Sequence, residues 1–204
     1  MLAPLIGMVL GGIFMFAIYW IFQRWTPAQA DRLFRRGQLL SAAAYSLGHG
    51  TNDAQKTMGI VAGLLFTSGS PALHGLVADA QGKLYIPFWI VLMAHVAMGL
   101  GTASGGWRIV HTMGTKITRL KPMGGFAAEL AGAITLFSSA QLGIPVSTTH
   151  TITGAIVGVG SMRRLTAVRW GVAGRIVWAW ILTVPAAAAV AAALYYLATL
   201  GQRF

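Results

Sequence analysis

The stretch GTNDAQKT, residues 50–57, places an amide, a carboxylate and an ammonium close together as Asn52, Asp53 and Lys56. It comes within one residue of the phosphate-cradling loop G-x-x-x-x-G-K-[ST], with Gln55 where the second glycine belongs. A second stretch, PVSTTHTITGAIVG at 145–158, offers different chemistry. Pro145 stops a preceding helix and Ser147 is a good N-cap for the next. A helix opening at Thr148 aims free N–H groups and its positive end at whatever lies beyond, and Ser147, Thr148 and Thr149 add hydroxyls. That is anion-binding chemistry without a full positive charge. Asp53, the Asn52 amide oxygen and unwound carbonyls instead suit a hard cation or a proton. Each feature also has a plainer reading: an Asp53–Lys56 ion pair at i, i+3, and a capped helix at a loop.

The elements around these residues choose between readings. The 204-residue chain is 56% hydrophobic and only 9% charged, with mean hydropathy +0.67. Soluble domains carry roughly 25% charged residues, so the composition is that of an integral membrane protein. A phosphate-cradling loop needs a preceding strand and a soluble domain around its nucleotide. Here the motif interrupts an apolar run, and its spacing is coincidental. The chain contains no cysteine, which excludes disulfides and thiolate metal sites. The opening segment lacks a basic n-region and a clear cleavage site, so residues 3–22 read as a retained span.

Further spans are expected at 38–66, 86–106 and 176–200. Gly48, Gly50, Asn52 and Asp53 are poor helix formers, which predicts a break in the middle of 38–66. Segment 125–161 is apolar but broken at GIPVSTTH, leaving arms of about 17 residues, at the short limit for crossing hydrocarbon. A re-entrant helical hairpin with its tip at residues 145–148 fits better than two full spans, provided the tip lines a protein-walled cavity. Gly7-x-x-x-Gly11 and Gly154-x-x-x-Gly158 permit close helix approach. The fold expectation is therefore all-α and integral to the membrane, a single domain of about four transmembrane helices plus the hairpin.

Charge sets the orientation. Of fifteen Lys and Arg, twelve lie in three clusters: Arg24, Arg32, Arg35 and Arg36; Arg108, Lys116, Arg119 and Lys121; Arg163, Arg164, Arg169 and Arg175. Short basic loops beside apolar runs are retained on the cytoplasmic side. The formal charge of +11 thus reports topology in a multi-pass inner (plasma) membrane protein, not nucleic-acid binding. Only four acids occur, and Asp53 and Glu129 fall inside apolar segments. A charge at the middle of a membrane helix costs about 2.5–3.5 kcal/mol on insertion scales, so such residues usually mark an ion pathway. His49 and His150 flank the two polar stretches, whereas His95 reads as a packing residue and no histidine pair has zinc spacing. Ser147 and His150 are near each other, but PVSTTH is not a G-x-S-x-G elbow, which argues against a serine hydrolase.

GHGTNDAQKTMG at 48–59 and GFAAELAGAITLFSSAQLGIPVSTTHTITGAIVGVG at 125–160 closely resemble the carboxy-terminal repeat of the PiT family of inorganic phosphate transporters. The resemblance implies symport of inorganic phosphate with sodium or a proton, with no other cofactor. It implies a phosphate site at Asn52, Asp53, Ser147, Thr148 and Thr149, a cation site drawn from Asp53, Asn52, Gln55 and Glu129, and accessory positions at Lys56 and His150. Family members carry two inverted repeats, each with its own N-D and S-T-T-H motif, and this sequence has one copy of each. The implied partner is a second half-transporter carrying the amino-terminal repeat. A sulfate transporter of the same fold and a non-transporting assembly subunit are the alternatives.

Overall fold

The computed structural model describes residues 2–79 and 81–200, which fall into two compact units, Met1–Val168 and Arg169–Phe204. Regular structure among the described residues is helical, apart from one antiparallel bridge between Ala78 and Leu84.

In the first unit, α1 spans Leu2–Ile21 and α2 spans Pro27–Thr67. A capping box starts α2: Thr26 accepts from the Gln29 N–H, the Gln29 side chain accepts from the Thr26 N–H, and Pro27 sits where no N–H is needed. The helix then runs 41 residues without interruption, which corrects the expected break at Gly48–Asp53. The polar side chains there bond to their own helix rather than ending it. Thr51 Oγ1 donates to Leu47 O at 2.8 Å, and Asn52 Nδ2 donates to Gly48 O at 3.2 Å. Packing along α2 outweighs the weak propensities of its glycines. At 1.5 Å per residue α2 is about 62 Å long, about twice the thickness of a hydrocarbon core.

After a one-turn α3 at Pro71–Gly75, α4 covers Phe88–His111 and continues as π-helical turns over Thr112–Ile117. Residues 107–117, expected as loop, therefore prolong the helix. Next come α5, Pro122–Gln141, and α6, Thr148–Arg163. These two pack antiparallel, with Gly124 against Val159 and Gly132 near Ile152. Their turn is dictated locally. Gly143 takes φ +66°, the left-handed conformation favoured by glycine. Gly143 N–H bonds to Ala140 O at 3.2 Å and Ile144 N–H to Ser139 O at 2.9 Å, a Schellman ending for α5. Ser147 then caps α6 by accepting from the His150 N–H.

The hairpin is the centre of this unit. On one side α6 lies parallel to α1, and the two G-x-x-x-G motifs pack on each other. A Cβ at Gly154 would collide with Pro4 O, and one at Gly158 with Met8 O. On the other side α5 lies parallel to α2, with Gly37 against Phe126 and Gly48 against Leu136. Further along α2, Ala54, Met58 and Ala62 turn a different face towards Ile90 of α4 and Val77.

Among the described residues, four segments are long and apolar enough to cross a membrane: Leu2–Ile21, Phe88–Ile117, Pro122–Gln141 and Trp170–Leu200. They include the first hairpin arm and omit α2, whose middle is polar. Large apolar side chains such as Phe16, Ile60, Leu64 and Trp107 are exposed, Trp107 by 80%. Water disfavours such faces, whereas hydrocarbon accepts them. No buried side-chain nitrogen or oxygen among the described residues lacks a hydrogen-bond partner, as a membrane interior demands. The second unit is α7, Trp170–Leu200, which is apolar on all sides and contains Pro185.

Candidate anion and cation site

The middle of α2 meets the hairpin tip at Asp53. Its carboxylate Oδ1 pairs with Lys56 Nζ at 2.9 Å, and Oδ2 lies 3.0 Å from His49 Nε2. Thr148 Oγ1, 95 residues away in sequence, donates to the same Oδ2 at 3.2 Å. Lys56 reaches across as well, donating to Val146 O at 2.7 Å. Tyr45 OH donates to Thr148 O at 3.4 Å, and its ring lies 5.9 Å from that of His49. One carboxylate thus holds an ammonium, an imidazole and a hydroxyl where α6 begins.

The other sequence-derived candidates are placed differently. Asn52 is buried and turned towards α5, its Nδ2 donating to Leu136 O at 3.1 Å as well as to Gly48 O. It joins the hairpin to α2 one step away from Asp53. Ser147 is engaged in capping, and Thr149 is exposed on the first turn of α6. His150 supplies the capped N–H and is half-buried.

Gln55 is exposed on α2. On a continuous helix, two residues' advance turns a side chain through about 200°, away from Asp53. Glu129 is held at another level, accepting from Ser41 Oγ at 2.6 Å and from Gln38 Nε2 at 3.4 Å. Ser41 precedes Asp53 by twelve residues of α2, about 18 Å along the axis. Asp53, Asn52, Gln55 and Glu129 therefore do not converge on one ion, because α2 stays helical where unwinding was expected. Among the described residues no three His, Asp or Glu side chains gather as a metal site.

Sequence reasoning left His49 as a flanking residue and did not single out Tyr45, Ser41 or Gln38. Helical spacing carried a signal for two of these: His49 and Asp53 are at i, i+4, and so are Tyr45 and His49. The Lys56–Val146 bond had no such signal, since it depends on how the hairpin docks.

Chemically, the tip presents donors to an oxyanion and a carboxylate to a cation, side by side. In the present arrangement Asp53 occupies donors that an oxyanion could share. Lys56 offsets the negative charge of Asp53, and the contacts from His49 and Thr148 add polar partners, lowering the cost of partly burying the carboxylate.

Several long apolar helices, exposed apolar faces and a polar junction at a hairpin tip are those of a multi-pass membrane protein. Residues 1–191 match the phosphate transporter family, and the chain belongs to that family. It is 56% identical over 98% of its length to a probable low-affinity inorganic phosphate transporter of Rhizobium meliloti (strain 1021), covering 57% of that protein. It is 41% identical over 96% of its length to a protein of the same description from Bacillus subtilis (strain 168), covering 56% of it. A solved structure described as the sodium-dependent phosphate transporter is similar with a TM-score of 0.71 and 33% identity, over 91% of this chain and 45% of that one. The chain spans about half the length of the curated relatives it matches.

Proposed function

We propose that this chain carries inorganic phosphate across a membrane together with a cation, as one half of a two-repeat transporter. The observation that supports the reading is the Thr148–Asp53 hydrogen bond, which brings the start of α6 and the Asp53 carboxylate to one point. Phosphate would lie against the first turn of α6, using Thr148, Thr149 and the α6 N–H groups, with Lys56 within reach. Asp53 would hold the accompanying cation so that the two charges enter together. Asn52 and Ser147 would fix the backbone on either side, and Glu129 with Ser41 and Gln38 would act at a separate level. The solved relative is described as sodium-dependent, which favours sodium over a proton as the coupled cation. A second repeat of opposite orientation would close the other side, and rocking of one repeat against the other would give alternating access.

The test is uptake of labelled phosphate by cells lacking other phosphate routes, in sodium or in choline medium, with the other repeat co-expressed. Uptake should be sodium-dependent and should fall at least about ten-fold in Asp53→Asn and in Thr148→Val. Wild-type rates in both variants would remove the site. Equal competition by sulfate would change the substrate.

A further inference from the structure

The end of the first unit where α1 closes and α6 finishes contains a cavity that the transport reading does not use. It has a volume of about 730 Å³ and lies between α1, the start of α2, the linker before α5 and the end of α6. Its floor is apolar: Met15 and Val159 are buried, and Ile18, Phe22 and Leu120 also line it. Its cationic side chains are Arg119, Lys121 and Arg163, drawn from two basic clusters far apart in sequence. Asp31 also lines it, but that carboxylate is already paired with Arg35 at 3.2 Å. A neighbouring cavity of about 660 Å³ shares Trp25 and adds Arg24, Arg32 and Arg36.

Topology explains why basic residues lie at this end, but not why they border a cavity with a hydrocarbon floor. A free inorganic anion would find donors on one side and methyl groups on the other. A soluble polyanion would find no use for the apolar floor. An amphiphile with an anionic head satisfies both surfaces. Arginine and lysine pair with phosphate through charge-assisted hydrogen bonds, and basic pockets between membrane helices suit anionic headgroups. The volume falls within the roughly 300–1,000 Å³ range of small-ligand sites, enough for a phosphate, a glycerol and the first methylenes. Trp25 and Tyr19 stand at the rim, partly exposed and amphipathic, as side chains at a headgroup boundary do.

We propose that this cavity holds an anionic phospholipid, its phosphate between Arg119, Lys121 and Arg163 and its upper acyl carbons against Met15, Ile18 and Phe22. The proposal requires the chain to be membrane-embedded and is independent of whether it carries phosphate.

Native mass spectrometry of the full chain released from nanodiscs tests it, using phosphatidylglycerol and phosphatidylcholine in equal amounts. Wild type should retain phosphatidylglycerol in at least about ten-fold preference, and equal retention overturns the proposal without any variant. The triple variant Arg119→Gln, Lys121→Gln, Arg163→Gln should lose that preference. Arg108→Gln, Lys116→Gln, Arg164→Gln removes the same charge from residues that line neither cavity, and should keep it. Equal loss in both triples would mean general electrostatic attraction and overturn the site. Should the first triple fail to fold, the single variant Arg163→Gln, checked for monodispersity, carries the same comparison and should weaken the preference several-fold. Displacement of the lipid by millimolar inorganic phosphate would reassign the cavity to the free anion. Loss of phosphate uptake in Asp53→Asn leaves every one of these outcomes unchanged, so the two readings fail separately.

Discussion

Lys56 is the side chain on which both halves of the Asp53 junction depend. It neutralises Asp53 and holds Val146 O, the carbonyl just before the Ser147 cap. Lys56→Met removes both bonds and leaves a half-buried carboxylate with only His49 and Thr148. A hydrogen bond to a charged group contributes about 1.5–3 kcal/mol, and the pair is partly exposed, so we expect a loss of about 1–2 kcal/mol. Thermal unfolding in detergent should show it. In Asp53→Asn/Lys56→Met the unpaired carboxylate is gone, and stability should recover in part, the bond to Val146 O staying absent, while phosphate uptake does not recover. If the double variant is as unstable as the sum of the singles, the pair is not coupled as described.

At the scale of elements, the interface between α1 and α6 relies on absent side chains. Gly158→Leu drives a branched side chain into the α1 backbone at Met8, and overpacking of this kind costs about 1–3 kcal/mol or displaces the helix. Gly63→Ala on α2 meets nothing within 4 Å and improves helix propensity by up to about 1 kcal/mol. The first should lower the unfolding midpoint sharply and the second should hold or raise it. Gly143→Ala should cost about 1–2 kcal/mol, because that residue must adopt the left-handed region. The Ser147 cap and the small-residue stripes were legible in the chain, whereas the helix stop was read at Pro145 and lies earlier, at the Gly143 turn. That they would pack on each other in parallel was not legible, since a small-residue motif does not name its partner.

For the whole molecule, the absence of cysteine makes sidedness directly measurable. Gln23 and Lys116 lie at the basic end of the helices, and Ser68 and Gln81 lie beyond the far end of α2, all four exposed. Single cysteines at Gln23 and Lys116 should react with an impermeant maleimide only from the cytoplasmic face, and those at Ser68 and Gln81 only from the opposite face. Labelling of both sets from one face would refute the topology read from the basic clusters. In the first unit Arg119 and Lys121 of one cluster and Arg163 of another border a single cavity, so parts of these two clusters lie at one end.

The sequence alone determined the solvent of this protein, its helical class, the break between two apolar helices around 145–148 and the two polar stretches that meet at Asp53. These follow from composition, local propensity and short-range capping, all of which act within a few residues. The tertiary structure decided that α2 stays continuous through Gly48–Asp53, because docking on α5 and α4 supplies more free energy than the glycines forgo. It also decided that Asp53 meets Thr148 while Glu129 is held by Ser41 and Gln38 at another level. Those outcomes depend on helix register, and register is set by how ridges, small residues and long side chains from distant segments fit together.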